Sequence, residues 1–478
     1  MKQFSAILLL ALAGCASVRN LDDALHPAER VGPGTAAAPN TVWTPPADAT
    51  PPPLPKATPV VPASTTLTLD QAIDTALTNN PDTRAAWFQA RAAEAALGST
   101  RSSYYPEIDL NASLTHNRNA TQGGGSVTTS TAFGPSLTLN YLLFDFGGRA
   151  AQVEEARQTL IATNLAQNQV IQDVVLRVEQ SYYGYLGAKS LLASQEATLK
   201  ERQASLDAAN ARHNAGVATI ADVLQAQTAL SQAQLNYETF EGNLRTFEGS
   251  LATAMGLPPT ARFTAGELAS DVPADTISGA VDELINRAAA SRPDLAAARA
   301  GVERSRARIR EVRSQGLPSF SVTSSIASTT FSGSTDRTTQ PYSAGIAMRF
   351  PLFTGFRTTY DVREAEAQTQ VAIEDARSLE QRVALDVWTS YYALQTAAQR
   401  VKTSRDLLSA ASQSADVARS RYRAGVGNIL DLLTAEAALE SARAQAVESR
   451  ADWFLAMAQL AHDAGTLGPR PQQENSTK

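Results

Sequence analysis

The sequence predicts a mainly α-helical chain that also carries membrane β-structure. Each copy supplies four transmembrane strands and two long coiled-coil hairpins, and only oligomerisation closes them. Three observations lead there. The chain states one pattern twice; each statement contains two stretches that alternate apolar and polar; and each then runs without proline for roughly 65 residues, from Arg149 to His213 and from Arg357 to Arg423.

The duplication is residue-exact. Ser181-Tyr182-Tyr183 recurs as Ser390-Tyr391-Tyr392, Ala215-Gly216-Val217 as Ala424-Gly425-Val426, Asp222-Val223-Leu224 as Asp431-Leu432-Leu433 and Gly256 as Gly465, all at a spacing of 209. Upstream, Pro81-Asp82 and Pro106 match Pro293-Asp294 and Pro318 at 212, so the register slips by three residues between Pro106 and Phe144. Solenoid units run only about 20–50 residues, which makes this a doubled half-molecule.

Composition narrows the class. Of 478 residues only four are Trp and four Met, while alanine is abundant, as in long helices packed through small side chains. The net charge of −6 offers no basic stripe for nucleic acid. No run of about 20 apolar residues follows the N-terminus, so no membrane-spanning helix is expected. The four histidines (His26, His116, His213, His462) lie far apart, and no phosphate loop or nucleophile elbow occurs, so no enzyme, cofactor or metal is expected.

Residues 1–14 read as a signal peptide, with Lys2 as the basic region and Ile7 to Leu12 as the apolar one. Leu12-Ala13-Gly14-Cys15 resembles a bacterial lipobox, which implies lipidation at Cys15, the sole cysteine. Ala16 is not the aspartate associated with inner-membrane retention, so the outer membrane is the expected destination. Residues 15–66 form a Pro/Ala-rich tether that includes Pro51-Pro52-Pro53-Leu54-Pro55. The first repeat then spans 67–257 (strand hairpin 106–144, helical hairpin 149–256), a connector 258–277, and the second repeat 278–466 (strand hairpin 318–353, helical hairpin 357–465). A disordered tail is expected at 467–478.

Each repeat opens a helix with proline in its first turn and an acid behind it, at Asn80-Pro81-Asp82 and Arg292-Pro293-Asp294. The period then becomes two. Ile108, Leu110, Ala112 and Leu114 alternate with Asp109, Asn111, Ser113 and Thr115; Leu137, Leu139, Tyr141 and Leu143 alternate with Ser136, Thr138, Asn140 and Leu142. Phe320, Val322 and Ile326, then Tyr342, Ala344, Ile346, Met348 and Phe350, repeat the scheme. Long polar connections are expected at His116–Thr131 and Thr329–Gln340. Tyr104, Tyr105, Phe144, Phe146, Phe350, Phe353 and Phe356 gather at the other end, as in an interfacial girdle. Four strands cannot close on themselves, and an unpaired edge in hydrocarbon costs several kcal/mol. Two copies would give eight strands with a filled lumen, three would give twelve with an open one; the small residues Ser113, Ser324, Ser343 and Gly345 favour three.

A helix of 65 residues is about 100 Å long. The return helix carries one heptad seam, Val223, Leu230, Tyr237, Leu244 and Leu251 beside Ala226, Ala233, Phe240, Phe247 and Ala254. The outgoing helix carries two stripes, Leu192, Leu199 and Leu206, and Ala197, Ala204 and Ala211, about 160° apart. Two seams imply neighbours on both sides, as in the wall of a tube.

With these motifs in place, the chain resembles the TolC-like outer-membrane efflux proteins along nearly its whole mature length. The resemblance rests on the Asn-Pro-Asp opening, the Leu143-Phe144-Asp145 turn, the Ser-Tyr-Tyr motif and the two helical tips, His213 to Leu224 and Arg421 to Leu433. It implies a homotrimer with a 12-stranded β-barrel in the outer membrane and a periplasmic α-barrel, whose tips meet a periplasmic adaptor (membrane fusion) protein coupled to an inner-membrane pump, of RND type ahead of ABC. It also implies a gate of Asp222 against Tyr422, with Gly427 where the family has an arginine and Arg421 or Arg423 as substitutes. Asp431 matches an acidic ring at the entrance, whose second position is Thr434 here; three such carboxylates would attract cations. Helix capping or dipole neutralisation is the other role open to Asp222 and Asp431, and for Asp222 it weighs equally with gating. Adaptor contacts fall at Gly216, Val217, Thr219, Gly425, Val426 and Asn428. The alternatives are a type I protein-secretion channel and, more remotely, a non-channel periplasmic coiled-coil scaffold.

Overall fold

The computed structural model describes residues 66–120, 127–273, 280–333 and 337–468. Cys15, the tether up to 65, the Gly123-Gly124-Gly125 connection and the tail from 469 lie outside the described residues. The elements are α1 (Leu69–Asn79), α2 (Pro81–Arg101), β1 (Glu107–Ala120), β2 (Val127–Phe144), α3 (Gly148–Asn214), α4 (Ile220–Ala254), α5 (Val281–Ser291), α6 (Pro293–Ser314), β3 (Ser319–Ala327), β4 (Thr329–Gly333), β5 (Arg337–Thr339), β6 (Tyr342–Arg349), α7 (Arg357–Arg423) and α8 (Ile429–Asp463).

The start signals act as their chemistry dictates. Pro81 and Pro293 occupy the first turns of α2 and α6, and the Asn80 side chain accepts from the Asp82 amide at 2.8 Å. Both long helices, α3 and α7, are 67 residues, or about 100 Å at 1.5 Å per residue. No described helix is long and apolar enough to cross a membrane.

All strands form one antiparallel sheet. β1 lies on β2, β2 on both β3 and β4, β3 on β6 and β4 on β5. The second hairpin therefore differs from the expectation at Thr329–Gln340. That stretch is not a plain loop but carries β4 and β5, so two long strands are each interrupted once. The break at Ser328 has a local cause: the Ser328 amide turns to donate to the Pro135 carbonyl at 2.9 Å. Gly134 makes the approach feasible, since a Cβ there would lie 2.1 Å from the Ser328 oxygen. On the return, the Ala327 amide bonds the carbonyl of Pro341, whose own nitrogen has no hydrogen to give. Four strand paths cross the sheet, with β1 at one edge and β6 at the other.

One face of this sheet is apolar and bare. Ile108, Leu110, Leu114, Leu137, Ile346 and Met348 are exposed, Leu110 at 75 % and Ile346 at 72 %. A soluble scaffold would not display this surface. The aromatic end is likewise exposed, with Phe144 against Phe146 at 4.7 Å and Phe353 against Phe356 at 5.5 Å between ring centres.

The four long helices stand in the order α4, α3, α8, α7. On α4, Ala226, Leu230, Ala233, Leu251 and Ala254 are buried as the seam requires, although Phe247 stays 40 % exposed. The outgoing helix corrects the expectation. Ala197, Ala204 and Ala211 are exposed, and α3 meets α8 through Gln195, Arg202 and Ser205 instead. These polar residues sit beside the leucine stripe, not opposite it. Toward its tip α3 packs on α4 and α8 through one broad arc. Periodicity of apolar residues missed this seam because its contacts are charged: Arg202 donates to Glu436 at 3.1 Å and Glu440 at 3.3 Å, Ser205 to Glu436 at 2.9 Å, and Arg443 to Glu201 at 2.9 Å.

Midway along α3 the helices share a core of Val174, Val175, Val178, Tyr182, Leu186, Leu251 and Met255. The Tyr182 hydroxyl donates to the Leu67 carbonyl at 3.2 Å, and the Tyr183 ring stacks on Phe454 at 4.6 Å. The Ser-Tyr-Tyr motif thus ties the first repeat to the second.

Candidate channel entrance

The helical tips lie at the ends farthest along the chain from the strands. Each outgoing helix ends on a glycine in the left-handed region, Gly216 at φ 76° and Gly425 at φ 79°. There the Val217 amide reaches back to the Arg212 carbonyl and the Val426 amide to the Arg421 carbonyl, both at 3.0 Å. Val217 (64 % exposed) and Val426 (70 % exposed) are left at the apex, with Ile220, Leu224 and Leu430 also exposed beside them.

Each return helix then starts on a side-chain cap. Thr219 caps α4, and Asn428 caps α8 by accepting from the Asp431 amide at 2.7 Å. The two aspartates, equivalent in the repeat, diverge here. The Asp222 carboxylate closes a capping box on the Thr219 amide at 3.1 Å. The Asp431 carboxylate makes no hydrogen bond or ion pair among the described residues and is exposed. Capping therefore occupies Asp222, while Asp431 keeps its charge open to solvent.

The expected bond between Asp222 and Tyr422 is not made. Tyr422 is buried, and its hydroxyl has no hydrogen-bond partner among the described residues. Burial pushes the phenol up from its ordinary value, and Asp222 adds to this from a distance while Arg212 opposes it. The residue that does hold Tyr422 is Arg212, near the end of α3. Its guanidinium lies 4.9 Å from the ring centre, and Nη1 donates to the Tyr422 carbonyl at 2.8 Å. Arg421 and Arg423 are exposed and make no side-chain hydrogen bond among the described residues, so neither replaces the missing arginine. Gly427 is itself constrained, since a Cβ there would lie 3.1 Å from the Tyr422 nitrogen. Sequence reasoning overlooked Arg212 because a basic residue in a last helical turn reads as dipole compensation.

Around Arg212 and Tyr422 lies a small core of Leu206, Ala209, Ala226, Leu230, Ile429 and Leu432. It packs the first tip against the second inside one chain. The buried Arg202–Glu436 pair follows further along α3; desolvation raises the Glu436 carboxyl, against hydrogen bonding by Ser205 and attraction by Arg202 and Arg419. Among the described residues no His/Cys/Asp/Glu group is arranged to hold a metal.

A strand sheet with an apolar outer face, carried on helices of about 100 Å whose tips converge, defines one protomer of an outer-membrane channel. The chain matches the outer membrane efflux protein family over residues 72–257 and 284–466. It is 30 % identical to Protein CyaE of Bordetella pertussis, over 84 % of this chain and 85 % of that one. It is 26 % identical to the probable efflux pump outer membrane protein TtgC of Pseudomonas putida, over 80 % and 79 % of the two chains. The solved outer-membrane channel OprN superposes with a TM-score of 0.75 at 21 % identity, covering 84 % of this chain and 91 % of that one. This protein belongs to the outer membrane efflux protein family: it is a bacterial outer-membrane efflux channel with a periplasmic extension, not an enzyme.

Proposed function

We propose that the chain is the exit duct of a tripartite efflux system, passing small molecules from a periplasmic adaptor and an inner-membrane pump to the exterior. The observation that carries this is the pairing of an open-edged membrane sheet with helical tips that end in bare apolar residues. The similarity to TtgC, a probable efflux pump outer membrane protein, agrees with it.

The working form is a homotrimer. Among the described residues both sheet edges are unpaired within one chain, and α4 packs almost wholly on α3. Phe88 on α2 is 59 % exposed, although its repeat counterpart Ala300 is buried at 6 %. Trp388 on α7 is 46 % exposed, although its counterpart Glu179 is buried at 8 %. Large aromatics left bare where the other repeat is covered mark surfaces that a second copy covers.

Gly216, Val217 and Thr219 of one tip, with Gly425, Val426 and Asn428 of the other, form the adaptor-docking surface, the valines making the contact and the glycines and caps shaping it. Arg212 and Tyr422 hold the entrance closed, with Asp222 in support, and Asp431 lines it as an acidic ring. Cys15 carries lipid into the outer membrane. The pump is proton-driven, of RND type. Deleting the gene should sensitise cells to several unrelated small toxic compounds, and restoring it should reverse this; loss of a secreted polypeptide with unchanged drug sensitivity would instead assign the duct to type I secretion.

A further inference from the structure

The two halves of the sheet obey one register. β1 meets β2 with Glu107 facing Asn140, and β3 meets β6 with Ser319 facing Arg349. These are the same pair once β1 is advanced by 212 residues and β2 by 209. A third junction joins the repeats, β2 on β3, with Asn140 facing Thr323, Leu142 facing Ser321 and, past a bulge, Phe144 facing Phe320. Its counterpart is β6 on β1. Among the described residues one chain does not make that junction: β1 pairs there only with β2, and β6 only with β3.

We propose that β6 of one copy pairs antiparallel with β1 of a second copy in this borrowed register, setting Arg349 opposite the partner's Asn111 and diagonal to the partner's Asp109. The inference rests on the trimer reading above and names the contact that would specify it.

Three observations support the assignment. First, the borrowed register aligns faces. Ile346 meets the partner's Leu114, Met348 the partner's Ala112, Phe350 the partner's Leu110 and Phe353 the partner's Ile108, all apolar with apolar. A one-residue slip would turn every one of them against the polar face. Second, the edges are oppositely charged: the β1 edge begins with Glu107 and Asp109, whereas β6 and the turn after it carry Arg349 and Arg357. None of these four side chains makes an ion pair or a side-chain hydrogen bond among the described residues. Third, a cavity of about 360 Å³ opens beside this edge, lined by Arg149, Arg349 and Arg357 with only Asp145 and Glu311 as acids. Glu311 is already engaged by Arg308 and Gln152, and Asp145 by Arg149. The partner's Asp109 supplies the missing carboxylate, since diagonal cross-strand neighbours stand about 7–8 Å apart, within the reach of an arginine.

The test uses the full-length protein in outer-membrane fractions. Ala347→Cys with Ser113→Cys places thiols opposite one another, at the backbone spacing that a disulfide needs. Ala347→Cys with Asn111→Cys or Thr115→Cys reports two-residue slips, and each single substitution is the control. On mild oxidation the first pair should give most of the covalent multimer. In parallel, Arg349→Asp should cut the SDS-resistant trimer severalfold, and adding Asp109→Arg should restore it. Stronger cross-linking of a slipped pair within intact trimers overturns the register and leaves the trimer standing. A charge exchange without rescue overturns the ion pair. Protein that is monomeric, with no cross-link at any pair, removes the trimer reading itself.

Discussion

Arg212 and Tyr422 join the two helical hairpins at their tips. The guanidinium covers the ring at 4.9 Å and donates to the tyrosine's own carbonyl at 2.8 Å. The arginine uses the ring face and the main chain, and leaves the hydroxyl out. This sorts the substitutions at the proposed gate. A charged hydrogen bond contributes about 1.5–3 kcal/mol, and a desolvated cation–π contact about 2 kcal/mol.

Arg212→Ala should therefore loosen the entrance, raising single-channel conductance and the sensitivity of cells to bulky antibiotics. Tyr422→Phe keeps both interactions and loses only an unpartnered hydroxyl, so its conductance should match the native value. A Tyr422→Phe channel as open as Arg212→Ala would show that the hydroxyl, and not the ring, holds the gate.

The Arg202–Glu436 pair joins α3 to α8 deep in the helical wall, with side chains 5 % and 1 % exposed. Breaking a buried pair from one side costs about 3–5 kcal/mol because a bare charge remains. Arg202→Ala should lower the thermal midpoint of the protein in detergent markedly. Arg202→Met with Glu436→Gln should recover most of the loss. Equal destabilisation by single and double variants would mean that packing, not charge, makes this seam.

His462 bridges the two repeats. Its Nε2 lies 2.8 Å from Asp173 and its Nδ1 3.1 Å from Asp463. Burial alone would depress the imidazole, but the two hydrogen-bonded carboxylates outweigh it, and the net shift is upward. A raised folded value makes the stabilisation complete below the ordinary imidazole range of about 6.5 and lost as pH climbs through the raised one. Thermal midpoints of the native protein should fall across that interval, and those of His462→Gln should fall less. Identical slopes would remove His462 from the coupling.

At the tips, Val217→Asp and Val426→Asp change exposed side chains and leave the glycine turns untouched. Efflux should drop at least tenfold, measured as intracellular dye accumulation, with normal trimer in the outer membrane. Gly216→Leu and Gly425→Leu should act similarly with an added stability cost, since a side chain is strained at φ near 75°. Normal efflux by the aspartate variants would move the adaptor contact elsewhere.

Much of this architecture was legible because it is periodic. Alternation marked all four strand paths, and missing prolines marked both long helices. What stayed hidden depends on single approaches. The break at Ser328 arises from Gly134 and Pro135 on a different strand, which no pattern within residues 319–340 signals. The α3–α8 seam escaped because periodicity detects apolar stripes such as Ala197, Ala204 and Ala211, whereas Arg202 and Glu436 pack only as a pair. The repeat placed Asp222 and Asp431 at equivalent positions, but the neighbouring cap decides their roles. Thr219 leaves its amide to Asp222, while no such bond ties up Asp431 beside Asn428.

The central claim, a gated duct through the outer membrane, is tested most directly by planar-bilayer recording of the purified full-length oligomer beside Arg212→Ala and Asp431→Asn. Discrete conductance steps are predicted, larger in Arg212→Ala, with a cation preference that weakens in Asp431→Asn. Silent membranes with all three proteins, despite intact oligomers, would contradict the duct.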